Sequence, residues 1–121
     1  MAKKILVIDD EPELVRAITV RFEASGYKAI PAFDGQEGIA KAKKLKPDLI
    51  LLDIIMPGMD GYEVCRRLKA DPDTKNIPVL ILTASGQRDL EEKCTSAGGN
   101  IVITKPFDTE DLLASVNKFI K

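Results

Sequence analysis

Five short apolar runs, each followed by an amphipathic stretch, set the tightest limit on what this chain can fold into. Lys4–Ile8 (KILVI) is a continuous run rich in β-branched residues. Beyond it, Leu14, Val15, Ile18 and Phe22 recur at three- and four-residue steps between Glu11 and Ser25, and Gly26 ends the pattern. A strand followed by a helix is the expectation. The alternation repeats with strands predicted over Lys28–Phe33, Asp48–Leu52, Pro78–Leu82 and Asn100–Ile103, and helices over Gly35–Leu45, Gly61–Ala70, Gln87–Ala97 and Thr109–Ile120. Strands and helices that alternate through short connections give parallel strands joined by right-handed crossovers, with helices on both faces of one sheet. The absence of polar alternation within the strands agrees, because a strand covered on both faces is apolar throughout.

The prolines order the strands. Pro31 falls inside the second strand, where a missing N–H is tolerated only at a sheet edge, whereas Pro78 opens the fourth strand and removes little. The richest runs, KILVI, LILL and VLIL, belong at the centre. The expected architecture is therefore α/β: a doubly wound, five-stranded parallel sheet of order 2-1-3-4-5, a flavodoxin-like (βα)5 three-layer sandwich. At 121 residues there is material for one core, so residues 1–121 read as a single domain.

Composition narrows the chemistry. Eighteen basic against 19 acidic side chains leave a formal charge of −1, which exerts no general pull on nucleic acid or on an acidic membrane. No histidine is present, which removes the commonest general base and the commonest zinc ligand together. Reactivity must then rest on carboxylates, lysine, hydroxyls, thiols or a hard metal. Cys65 and Cys94 form no CxxC pair, and no secretory segment opens the chain, so both are expected to be reduced and the protein cytoplasmic. No apolar run approaches the roughly 20 residues that span a bilayer, and no lipidation signal is visible.

In open parallel sheets the reactive site lies beyond the carboxyl ends of the strands. Asp9, Asp10 and Glu11 follow the first strand, Asp53 the third, Thr83 the fourth and Lys105 the fifth. Singly, several have plainer explanations: Asp10 before Pro12 suits a helix cap, Lys105 a solvated loop, Thr83 a turn. Asp53 does not, because it ends the run LILL in mid-sheet, where a carboxylate is costly to desolvate without a cation or donors. Asp9, Asp10 and Asp53 brought together would repel one another unless a divalent ion screened them, and an all-oxygen site suits Mg²⁺ better than zinc. Asp10 and Asp53 are the expected direct ligands, Asp9 a water-mediated one, and the Ile55 carbonyl completes the protein's share. A phosphoryl group fits the remaining positions. Lys105 would neutralise its charge, Thr83 would donate a hydroxyl, and the Asp53 carboxylate stands as the nucleophile.

The segments KILVIDDEP (4–12), LILLDIIMPGMDG (49–61), PVLILTA (78–84) and TKPF (104–107), in this order and spacing, resemble the receiver domain of two-component response regulators over essentially the whole chain. The chemotaxis members of that family share the order 2-1-3-4-5, so the order inferred above is not independent of that precedent. The resemblance implies that Asp53 accepts a phosphoryl group from a phosphohistidine on a sensor histidine kinase or phosphotransfer protein, with Asp9 and Asp10 as the acidic pair for Mg²⁺. It further implies that Thr83 and Lys105 contact the phosphoryl oxygens, and that the Lys105–Pro106 peptide is cis. Such a chain catalyses chemistry only on itself, by phosphorylation and dephosphorylation of Asp53.

Some positions depart from the family pattern. The aromatic often found three residues before the strand-5 lysine is Val102 here, and a valine has no ring to swing between exposed and buried rotamers. The acidic pair often found before it is Asn100 and Ile101. Asp89, Glu91 and Glu92 on the fourth helical stretch, with Asp108, Glu110 and Asp111 at the start of the fifth, point to a basic output partner, or an appended output domain, docking on the face formed by the fourth helical stretch, the fifth strand and the fifth helical stretch. Ile55 and Ser85 occupy positions that in the family govern access of hydrolytic water, and an apolar Ile55 implies slow loss of the phosphoryl group. Pro57, Gly58 and Gly61 allow a tight turn after Asp53 with Asp60 as a helix cap, and Met56 and Met59 read as packing. Lys41, Lys43, Lys44 and Lys46 read as a solvated helix face, and the two cysteines as half-buried small hydrophobes. The alternative function is a constitutive interaction module of the same fold that phosphorylation does not regulate. A phosphatase or nucleotide enzyme is disfavoured by the lack of a DxDx[TV] pair, a GxGxxG or a Walker A loop.

Overall fold

The computed structural model describes residues 2–54, 61–84, 101–105 and 108–120, with 83, 84, 101, 102, 104 and 105 described by backbone. Strands β1 (Lys4–Ile8), β2 (Lys28–Ala32), β3 (Leu49–Asp53), β4 (Val79–Ala84) and β5 (Ile101–Lys105) form one parallel sheet of order β2-β1-β3-β4-β5. The helices are α1 (Pro12–Ala24), α2 (Gly35–Leu45), α3 (Gly61–Ala70) and α4 (Thr109–Ile120), the last being the fifth helical stretch of the sequence. Pro31 lies on the edge strand opposite Val7, as its missing donor requires.

Alternate strand residues feed two cores. Leu6, Ile8, Ile50 and Leu52 meet Ala42 of α2 and Val64, Cys65 and Leu68 of α3 on one face. Ile5, Val7, Leu49 and Leu51 meet Val15, Ile18 and Phe22 of α1 and Leu112, Leu113 and Val116 of α4 on the other. This is the period-two geometry of a strand buried on both sides, and it explains why the sequence runs carry no polar partners. Cys65 is fully buried, deeper than the half-burial expected, and burial pushes its thiol pKa up.

The strand boundaries shift in a way that matters. Expected over Asp48–Leu52, Pro78–Leu82 and Asn100–Ile103, the third, fourth and fifth strands each run one or two residues further. Parallel pairing persists through Asp53 with Leu82, Thr83 with Thr104 and Ala84 with Lys105. Asp53 and Lys105 are therefore the last residues of paired strands and Thr83 the last but one, not loop residues that follow them. At the other end of the site β2 stops at Ala32, and Phe33 leads into the cap of α2.

Helix entries also differ from the plainest reading. Asp10 does not cap α1: the N-cap is Glu11, with no side-chain cap bond, and Pro12 sits in the first turn. Asp34 caps α2 by accepting from the Glu37 N–H, while Glu37 Oε1 accepts from the Phe33 N–H. Of the lysine run, Lys41 pairs with Glu37 and Lys43 with Asp71, and Lys46 takes a left-handed C-cap at φ 48°. The fourth helical stretch over Gln87–Ala97, Cys94 and Asp60 lie outside the described residues.

Candidate metal centre

Asp9 and Asp10 leave the end of β1, and Asp53 ends β3, the strand beside it. Their carboxylates converge: one oxygen from each lies within 4.8 Å of the others. Asp9 is fully buried and Asp53 is 5% exposed, so two of the three acids sit where an unscreened charge is costly. Asp10 is partly exposed and opens the group to solvent.

Local structure holds the trio. The Asp9 N–H donates to the Ala32 carbonyl at 3.0 Å, extending the β1–β2 ladder one residue past the strand. Asp9 Oδ1 accepts from the Glu11 N–H at 3.0 Å, so the same carboxylate that faces the site also closes the turn into α1. On the neighbouring strand the Ile54 N–H donates to the Leu82 carbonyl at 3.0 Å, keeping the chain paired immediately beyond Asp53. Gly61, the first residue of α3, donates its N–H to the Ile54 carbonyl, and any Cβ there would meet the Asp53 carbonyl and Ile54 Cα. Only glycine lets α3 begin this close to the strand end.

Register places the other two expected site residues on the same rim. Thr83 lies on β4 one position beyond Leu82, the partner of Asp53, and Lys105 ends β5 opposite Ala84. The expected metal-binding carbonyl of Ile55, the Ser85 position, the turn through Pro57 and Gly58, Met56, Met59 and the Lys105–Pro106 peptide lie outside the described residues. Sequence reading brought Asp9, Asp10 and Asp53 together; it did not anticipate that Asp9 would tie down Glu11, or that Gly61 would abut Asp53.

The acids expected at a partner face divide. Asp108 accepts from the Asp111 N–H and so caps α4, and Glu110 pairs with Arg21 of α1. Those two are engaged within the fold. Asp89, Glu91 and Glu92 lie outside the described residues.

The response regulator receiver domain model matches residues 5–117. The chain belongs to this family. Among relatives, the DNA-binding dual master transcriptional regulator RpaA of Synechocystis sp. is 42% identical over 98% of this chain, which spans 49% of that protein. Among solved structures, the chemotaxis protein CheY4 of Vibrio cholerae superposes with a TM-score of 0.92 at 28% identity, covering 98% of this chain and 99% of that one. The receiver domain of a sensor histidine kinase from Pseudomonas aeruginosa, which has a magnesium ion coordinated in its active-site cleft, gives 0.90 at 28% identity over 99% and 98% of the two chains. Receiver domains of this family work in two-component systems with histidine kinases and output domains. The acidic trio of this receiver domain can hold a metal ion. Three carboxylates, two of them buried, form a hard, all-oxygen donor set of the kind divalent cations such as Mg²⁺ take. Among the described residues no helix is long and apolar enough to cross a membrane.

Proposed function

We propose that this receiver domain, spanning residues 1–121, is a phosphorylation-controlled switch. Asp53 takes a phosphoryl group from the phosphohistidine of a sensor histidine kinase or phosphotransfer protein, with Mg²⁺ as cofactor. The convergence of Asp9, Asp10 and Asp53 at the carboxyl ends of adjacent strands carries this reading. Three like charges gathered at a buried strand end are costly unless a cation offsets them, and a cation there can in turn receive a phosphoryl group.

Asp9, Asp10 and Asp53, with the Ile55 carbonyl, would hold the metal. When bound, Mg²⁺ supplies charge neutralisation at the phosphoryl oxygens. In the transfer an Asp53 carboxylate oxygen forms a bond to phosphorus as the phosphorus–nitrogen bond breaks, and the electron pair leaves on the donor imidazole. Thr83 donates its hydroxyl to a phosphoryl oxygen, and the Lys105 ammonium neutralises the negative charge of the phosphoryl group. Burial around Asp53 limits water at the acyl phosphate, and the apolar Ile55 extends that protection. The chain performs no chemistry on other substrates. Phosphorylation shifts it between two conformations that differ in affinity for an output partner or appended output domain, through the face made by the fourth helical stretch, β5 and α4. Val102 places no aromatic ring in that transition. The free, buried thiol of Cys65 suits the cytoplasm.

Incubation with a small acyl phosphate and Mg²⁺, followed by intact mass measurement, tests the reading. One phosphoryl group is expected, lost in Asp53→Ala and on chelation of the metal. No incorporation from any donor would leave the constitutive interaction module in its place.

A further inference from the structure

Gly38 occupies the interior of α2, where a glycine costs about 1 kcal/mol relative to alanine. Its surroundings explain the choice. A Cβ at this position would lie 2.5, 2.8 and 3.0 Å from Cδ1, Cγ1 and Cγ2 of Ile8. Ile8 is fully buried, β-branched and therefore stiff at χ1, and it is the residue immediately before Asp9. The helix is not free to back away. Its first turn is fastened by Asp34 and Glu37, Lys41 Nζ donates to the Pro31 carbonyl at 2.6 Å, and Lys4 Nζ donates to the Leu45 carbonyl at 3.0 Å. A side chain at position 38 would therefore displace the end of β1. On the same face α3 packs against α2 and begins at Gly61, against the backbone of Asp53 and Ile54.

We propose that Gly38 is a positioning residue for the metal centre. By carrying no side chain it lets α2 seat on Ile8, and so fixes where β1 ends and where Asp9 and Asp10 stand relative to Asp53. Gly61 does the same from the β3 side. This rests on the functional reading above, because the distance it controls matters only if the three acids share a cation.

Calorimetric titration of the full chain with Mg²⁺, well below the unfolding temperature, tests it. Gly38→Ala is expected to weaken Mg²⁺ binding about tenfold, equal to about 1.4 kcal/mol. Shrinking the opposing side chain in Gly38→Ala/Ile8→Val should restore affinity to within about threefold. Val116→Ala, in the opposite core, should lower the thermal midpoint and leave Mg²⁺ affinity alone. A folded Gly38→Ala protein that binds Mg²⁺ like wild type overturns the proposal, as does a loss that Val116→Ala shares. If Gly38→Ala does not fold, the double variant decides: recovered binding supports the proposal, and a folded double variant without binding overturns it. No uptake by wild type would bring down the functional reading and this inference together. Equal uptake by wild type and Gly38→Ala would bring down the inference alone.

Discussion

The two ends of the sheet treat charge in opposite ways. At the amino end, charged groups are met by backbone partners: the Lys4 N–H donates to Asp48 Oδ2 at 2.7 Å, and Lys4 Nζ caps the last turn of α2 through the Leu45 carbonyl. Lys69 acts similarly, half-buried, donating to the Lys75 and Ile77 carbonyls, and burial lowers its pKa. These groups hold connections in place. At the carboxyl end, three groups of the same sign are drawn within 4.8 Å, two of them buried. Charges met by hydrogen-bonding partners stabilise a fold modestly. Like charges gathered under cover work against it, so they persist where a ligand needs them.

The largest expected effect sharpens that contrast. Asp53→Asn should abolish phosphoryl incorporation from an acyl phosphate, whereas Lys4→Met, at the opposite end, should leave the extent of labelling unchanged; intact mass reads both. Next, Asp10→Asn should weaken Mg²⁺ binding at least tenfold, a loss of about 1.4 kcal/mol or more, by calorimetry. In metal-free buffer the same variant should melt at a higher temperature than wild type, because one of three repelling charges is gone. A lower midpoint there would break the comparison, since it would make the trio a structural device. A smaller change belongs to the amino end. Lys4→Met leaves the Leu45 carbonyl without its ammonium and should cost about 1 kcal/mol in denaturant unfolding, with Mg²⁺ affinity unaltered.

The smallest effect concerns a matched acid on the same rim as the trio. The Phe33 N–H first, and Lys41 after it, hold the Glu37 carboxyl pKa below its ordinary value. With the folded pKa depressed, its stabilisation is complete above the unfolded pKa of about 4.3 and fades as pH falls through the lower folded value. Wild type should therefore exceed Glu37→Gln slightly in thermal midpoint at pH 7, with the gap closing as the pH falls below both the unfolded and the lower folded pKa. A gap that widens on acidification would contradict that assignment.

Much of this was legible in sequence because it is local or periodic. Continuous apolar runs mark KILVI and LILL, helical spacing marks Leu14 to Phe22, and Pro31 marks the edge strand. Asp9, Asp10 and Asp53 were legible too, since carboxylates at strand ends in a parallel sheet fall on one rim. The exact strand ends were not: ladder pairing with a neighbour, as between Asp53 and Leu82, leaves no mark in the run itself. Asp10 looked like a helix cap in isolation, yet the turn is closed by Asp9 Oδ1 on the Glu11 N–H. Gly38 was visible only as an isolated glycine in a helical pattern.

The sequence by itself determined the alternation of elements, the edge position of the second strand and the identity of the acids, because hydrophobic period, proline chemistry and residue type are properties of the chain. Only the tertiary structure decided how far each strand runs and that Ile8 fills the space a Gly38 side chain would need. Those depend on contacts between residues far apart in the chain, and it is there that the spacing of three like charges is set.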